Sequence, residues 1–147
     1  MKRVFFVISV LAGLLAPVVA QAGTEAQQLG VCLTDSLDGK ERKSLAKWIF
    51  FGMSTHSTIE QYSNISAADI ENSDRYVGFL ITRLLTEDCP EQAKSAFEEG
   101  GTGGLEYAFR IVGRVAMQEI MTEPKVTQSL GAFEKYLDRE RFSQVFD

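Results

Sequence analysis

Apolar residues recur every three or four positions through most of this chain, which is the spacing of one face of an α-helix. The clearest run lies between residues 45 and 53, where Leu45, Trp48, Ile49 and Met53 share one face. No segment shows the sustained alternation of apolar and polar residues that marks a half-buried strand. We therefore predict an all-α fold, a compact bundle of five to six helices.

Capping residues, glycines and prolines divide this pattern into helical segments. The predicted segments are Glu25–Leu33 capped by Thr24, Lys40–Ser54, a short stretch from Ser66 interrupted at Asn72–Ser73, a helix capped by Ser73 and ending at Thr86, Glu91–Glu99, Leu105–Met121, and a last helix from Pro124 that frays near Arg139. Residues 34–39 are predicted to form a turn, and residues 54–66 a loop. Phe50 and Phe51 widen the apolar face of Lys40–Ser54, so we expect that helix to be buried on most of its circumference.

Glycines punctuate the helical pattern in two ways. Residues 100–104 form the clearest boundary, and Gly100 is expected to take the left-handed conformation that ends a helix. Gly52, Gly78 and Gly113 instead lie inside apolar helical runs, where each costs up to about 1 kcal/mol relative to alanine. We interpret these three as sites of close helix–helix crossing, with space for a small apolar ligand as the alternative.

The N-terminal 22 residues have the layout of a cleavable secretory signal. Lys2 and Arg3 are followed by an apolar run, Val4–Leu15, and the small residues of Ala20–Ala22 supply a cleavage site. The run is too short for stable membrane insertion. We therefore predict a signal peptide over residues 1–22 and export to the periplasm, or secretion.

The remaining residues, 23–147, number 125 and are predicted to form a single helical domain. This part carries 13 basic and 20 acidic residues, a net charge of −7. An acidic domain is a poor ligand for nucleic acid or for an anionic membrane surface. We expect its partner to be another envelope or exported protein.

Cys32 and Cys89 are the only cysteines. Two thiols in an exported chain predict one disulfide bond. The bond closes a loop of 58 residues, for which chain entropy predicts a stabilisation of about 4 kcal/mol.

Candidate chemistry is sparse. His56 is the only histidine, and with Ser54 or Ser57 it offers the one candidate base–nucleophile pair of a hydrolase. Neighbours one or two residues apart rarely reach the required geometry. One histidine and two paired cysteines do not make a zinc or copper site, so we expect neither a metal nor another cofactor.

The candidate partner contacts are therefore polar residues on and after the second helix. Lys40, Arg42, Lys43 and Lys47 form the one basic cluster, and His56 follows it in the next loop.

These observations predict a non-catalytic, protein-binding module, such as an accessory subunit of an envelope complex or an inhibitor. Two alternatives stay open: a carrier of a small apolar ligand in the helical core, and a hydrolase that uses His56.

Overall fold

The computed structural model describes residues 23–146, which form six α-helices and no strand. The prediction of an all-α fold with five to six helices is confirmed. The helices are α1 (Thr24–Asp35), α2 (Gly39–Ser54), α3 (Ala67–Arg83), α4 (Pro90–Met121), α5 (Pro124–Gly131) and α6 (Arg139–Phe146). Short 3-10 turns cover Glu60–Tyr62 and Ala132–Tyr136, and a π-turn covers Leu84–Asp88. The predicted signal peptide, residues 1–22, lies outside the described residues.

The core lies between α4 and the first three helices. α1 packs along α4, and α2 packs against both α3 and α4. The buried side chains are mainly leucine, alanine and valine, and the small alanine side chains let the helices approach closely. They are Ala26, Leu29, Leu33, Leu37, Leu45, Ala46, Val77, Leu80, Leu84, Ala96, Ala108, Val112 and Ala116, with Cys89 among them.

Gly30 marks the closest approach of α1 to α4. A Cβ atom added at Gly30 would overlap the side chain of Ile111, so only glycine fits there without a shift. At Gly52, Gly78 and Gly113 nothing lies within 4 Å of an added Cβ. The predicted close crossings at those three glycines are therefore wrong, because these glycines face open space.

The helix α4 is broken at Gly101, whose φ of 57° is the only positive φ among the described residues. The predicted boundary is in the right segment, but Gly101 takes the left-handed conformation in place of Gly100. Beyond the break, Gly104 is buried against the backbone carbonyl of Ala96, where a Cβ atom would collide with the oxygen. The glycine-rich segment therefore makes a tight internal bend.

Polar side chains cap α2 and α3. Asp38 accepts a hydrogen bond from the Glu41 amide at 2.7 Å, and the Glu41 carboxylate accepts one from the Asp38 amide at 3.0 Å. The start of α1 differs from its prediction. Thr24, the predicted cap, is the first residue of the helix, and the capping position is occupied by Gly23, which has no side chain to accept a hydrogen bond.

The helix α3 is continuous where a break was predicted at Asn72–Ser73. Ser66 and Asp69 form a capping box at its start, and Ser73 is buried within the helix. The helix passes through Ser73 because the face that carries Ile70 and Val77 packs toward the core, and packing outweighs the weak helix propensity of serine.

The helix α2 is less buried than predicted. Its buried residues are Leu45, Ala46 and Ser54, whereas Trp48 is 38% and Phe50 is 50% exposed. The expectation that most of its circumference is buried is therefore wrong, because no other helix within residues 23–146 covers the outer side of α2.

The predicted Cys32–Cys89 disulfide is confirmed. The two sulfur atoms are 2.07 Å apart and the Cα atoms 6.1 Å apart. Cys89 is fully buried at the start of α4. The bond joins the end of α1 to the junction between the π-turn and α4, as expected.

The C-terminal arm, residues 124–146, contains α5, the second 3-10 turn and α6. None of these elements has a buried residue, and the arm packs on the core mainly where α5 follows α4. The prediction of a frayed end near Arg139 is wrong, because Arg139–Phe146 forms a sixth helix.

Candidate functional site

An open groove of about 640 Å³ lies on the outer side of α2, beside the start of α3. We call it the α2–α3 groove. Its lining is mostly apolar, and it stays open because Gly52 contributes no side chain. Its lining residues are Trp48, Ile49, Phe51, Gly52, Met53, Thr55, His56, Ile70 and Asp74.

Trp48 is the fixed element of the groove. Its indole Nε1 donates a 2.8 Å hydrogen bond to the Oδ1 of Asp74, which joins α2 to α3. The ring is 38% exposed and so keeps contact with solvent. Because the indole N–H is satisfied, the exposed part of the ring is an apolar surface held in a defined orientation.

Aromatic and thioether side chains extend this surface along α2. Phe50 and Met53 are 50% and 47% exposed, and the rings of Phe50 and Phe51 are 6.4 Å apart. The ammonium of Lys47 lies 5.8 Å from the centre of the Phe51 ring. Exposed apolar side chains grouped in this way are typical of an interaction surface.

The predicted basic contacts divide into two pairs. Arg42 pairs with Glu119 at 3.3 Å and donates to the Leu37 carbonyl at 2.7 Å, and Lys43 lies 3.8 Å from the same glutamate. These two side chains therefore help to join α2 to α4. Lys40, Lys47 and also Lys43 are exposed, and of the four only Lys47 reaches the aromatic patch.

His56 lies at the end of the groove, in the loop that follows α2. Its Nδ1 lies 2.9 Å from the Thr58 hydroxyl and accepts from the Thr58 amide at 3.3 Å. The Ser54 hydroxyl is buried and donates to the Phe51 carbonyl at 2.7 Å. Within residues 23–146, no hydrogen bond joins His56 to Ser54 or Ser57, the two predicted nucleophile candidates.

An ion network at the opposite end of α2 joins three elements. Arg83 contacts the Glu41 carboxylate through two nitrogens, at 3.0 and 3.2 Å. Its Nε lies 3.0 Å from the Oδ2 of Asp88, without the alignment of a hydrogen bond. The hydrogen bond to Glu41 raises the pKa of Arg83, with the charges of Glu41 and Asp88 adding to it, so the guanidinium stays charged. The network ties the start of α2 to the end of α3.

Sequence reasoning missed Ile70 and Asp74, which supply the α3 side of the groove. The i, i+4 spacing of these residues was available, but the break predicted at Asn72–Ser73 placed Ile70 and Asp74 in different helical segments. The hydrogen bond from Trp48 to Asp74 joins residues 26 positions apart, and no local pattern predicts such a pair.

Two further observations concern the described part of the chain. Between residues 23 and 146, no helix combines the length and apolar character needed to cross a bilayer. The same residues contain no group of three or more histidine, cysteine or acidic side chains placed to hold a metal ion.

The chain has no significant match to a protein-family model, to a curated protein or to a solved structure.

Proposed function

We propose that this protein is an exported, non-catalytic protein-binding module and that its partner docks in the α2–α3 groove. The observation that carries the proposal is the exposed apolar surface around Trp48, whose ring is held by the hydrogen bond to Asp74. Tryptophan and other aromatic side chains provide much of the binding energy in protein interfaces. A ring already fixed in place loses little conformational freedom when a partner binds.

The disulfide supports an exported location. Such bonds persist in oxidising compartments, of which the bacterial periplasm is one. The signal predicted in residues 1–22 favours the same compartment, and secretion is the alternative. The partner is then another envelope or exported protein, with the module acting as an accessory subunit or an inhibitor.

The apolar and charged side chains of the groove indicate what kind of segment can bind there. An apolar floor with Lys47 on one side and Asp74 on the other suits an amphipathic helix, whose apolar side chains enter the groove while polar ones meet the rim. Lys47, over the Phe51 ring, and His56 are the predicted polar contacts available at this surface, whereas exposed Lys40 lies outside the groove lining.

A second candidate is a carrier of a small apolar ligand. The groove volume of about 640 Å³ falls in the range of small-molecule sites. Because the groove is open to solvent along one side, it covers only part of such a ligand, and a protein partner fits it better. A native mass spectrum of the purified protein separates the two, since a retained small molecule adds a fixed mass.

A photo-reactive amino acid placed at Met53 tests the proposal in living cells. Met53 lines the groove and is 47% exposed, and Phe97, on α4 and 54% exposed, is the matched control position. We expect a specific protein adduct from position 53 that is missing from position 97.

The captured protein is then purified and its affinity measured with two variants. We expect Trp48→Ala to raise the dissociation constant by about ten-fold or more, because it removes the central ring of the groove. Phe97→Ala is expected to change it by less than about two-fold. Equal effects of the two variants, or identical adducts from both positions, would rule out the groove as the binding surface.

A further inference from the structure

The C-terminal arm, residues 124–146, leaves an unusual amount of apolar surface in water. Phe133 is 59% exposed, Tyr136 80% and Phe146 76%. Its two α-helices have eight residues each, and helices of that length are not stable in water without tertiary packing. The arm therefore lacks the surface on which its helices pack.

The sequence of the arm repeats apolar residues at helical spacing. Val126, Leu130, Phe133 and Leu137 follow one another at spacings of four, three and four residues. The first two lie in α5, Phe133 in the 3-10 turn and Leu137 directly after it. In α6 the rings of Phe142 and Phe146, also four residues apart, stack with their centres 5.9 Å apart.

The α2–α3 groove presents the complementary surface, and the chain's own arm does not pack against it. The turn between α4 and α5 is fixed by hydrogen bonds: the Thr127 hydroxyl donates to the Met121 carbonyl at 2.9 Å, and the Thr127 amide donates to the Glu123 carbonyl at 3.0 Å. These bonds hold the start of α5 in a defined turn after α4.

The exposed area is sufficient for a dimer. The arm's four exposed aromatic rings, at roughly 150–250 Å² each when fully buried, still expose about 500 Å² in total. Two arms exchanged reciprocally double this figure, and the groove surfaces add to it, which reaches the size of a standard protein interface. Reciprocal exchange is the closed, two-fold arrangement that homodimers favour.

Charge is compatible with the same pairing. Residues 23–123 carry nine lysine and arginine side chains against sixteen acidic ones, whereas residues 124–147 carry four of each. The core is therefore strongly acidic and the C-terminal segment has no net side-chain charge. An arm meets no net repulsion from a core, while two cores without exchanged arms repel each other.

We infer that the arm of a second copy of this chain occupies the α2–α3 groove, in a reciprocal dimer that rests on the binding role proposed above. In the dimer the groove is occupied by the arm of the second copy. The partner protein binds the groove only after that arm has left it. Self-association thereby regulates partner binding.

Lysine cross-linking of mixed isotopic forms tests this inference. Lys47 borders the groove and Lys135 lies in the arm. The full chain is expressed in ¹⁴N and ¹⁵N forms, its N-terminus is read by mass spectrometry, and the two forms are mixed and cross-linked. We expect Lys47–Lys135 links that join a light to a heavy chain, and a dimer in sedimentation.

Two matched variants complete the test. Phe142→Ser is expected to weaken the dimer by about ten-fold or more, and Phe97→Ser to leave it unchanged. The two phenylalanines are 46% and 54% exposed, so the change in solubility is similar. Phe142→Ser is also expected to increase cross-linking from Met53 to other proteins, because it frees the groove.

Several results overturn the inference. A monomer whose Lys47–Lys135 links join only chains of the same isotope places the arm in its own groove. A dimer that persists in Phe142→Ser uses another surface, and a monomer whose arm binds anionic vesicles identifies a membrane contact. If Met53 captures a different protein while the chain stays monomeric, only the proposed partner role stands; if mixed links form and no other protein is captured, only the dimer stands.

Discussion

Trp48 shows how a single side chain becomes a candidate binding residue. Its hydrogen bond to Asp74 fixes the ring, and Gly52, one turn later, leaves the space beside it open. The sequence indicated Trp48 as part of an apolar helix face, but exposure depends on which helices cover that face. None of the helices described between residues 23 and 146 covers the outer side of α2, so a residue with a core-like pattern lies at the surface.

Gly103 and Gly104 differ sharply although they are neighbours. A Cβ atom at Gly104 would overlap the carbonyl oxygen of Ala96, whereas nothing lies within 4 Å of one at Gly103. We expect Gly104→Ala to lower the free energy of unfolding by about 1–3 kcal/mol, because the backbone must shift. We expect Gly103→Ala to raise it by up to about 1 kcal/mol through helix propensity. Urea unfolding of both variants measures the contrast, and equal effects would contradict the tight bend.

At the scale of elements, the helical period and the capping residues predicted most of the fold. The helix Lys40–Ser54 was placed within one residue of α2, and Ser66 with Asp69 was identified as the start of a helix. Errors arose where a local signal competes with packing. Ser73 resembles a cap in sequence, but burial against the core keeps it inside α3.

The start of α3 is expected to depend on pH. The Ser66 hydroxyl and the Ser66 amide both donate hydrogen bonds to the Asp69 carboxylate. These bonds hold the pKa of Asp69 below the usual 3.8. A lowered folded-state pKa means that this contribution to stability is present above pH 3.8 and is lost as the pH falls through the lower, folded value. Titration followed by NMR measures that pKa directly.

The Ser66→Ala variant tests whether the Ser66 hydroxyl causes the lowered pKa of Asp69. We expect it to raise the pKa of Asp69 toward 3.8 and to destabilise the helix by about 1 kcal/mol through loss of the N-cap. Ser66→Thr keeps the hydroxyl and is expected to leave the low pKa in place. An unchanged pKa in Ser66→Ala would show that the capping box does not form.

At the scale of the molecule, the disulfide was predictable and the groove was not. Two cysteines in a chain with a predicted secretory signal leave one intramolecular pairing. The groove and the arm depend on which helices lie next to each other and on where α5 leaves α4, and both are set by long-range packing. Periodicity predicts that a face is apolar, but it does not say which partner covers that face.

The disulfide closes a loop with a sequence separation of 57 residues between α1 and α4. We expect the double substitution Cys32→Ala and Cys89→Ala to lower the free energy of unfolding by about 4 kcal/mol, chiefly by freeing the unfolded chain. Ser36→Ala, beside the Cys89 sulfur, keeps the bond and serves as control. Identical urea midpoints for the double variant and the parent chain would contradict a stabilising bond.

The measurement that tests the groove most directly is oxidative footprinting of two methionines. Met53 in the groove and Met121 at the end of α4 are 47% and 48% exposed in the single chain, so in purified protein diluted to the monomer they should oxidise at similar rates. In living cells we predict that Met53 is protected several-fold while Met121 is not, because a partner covers the α2–α3 groove. Equal reactivity of the two methionines in cells and in dilute solution would contradict the binding role assigned to this surface.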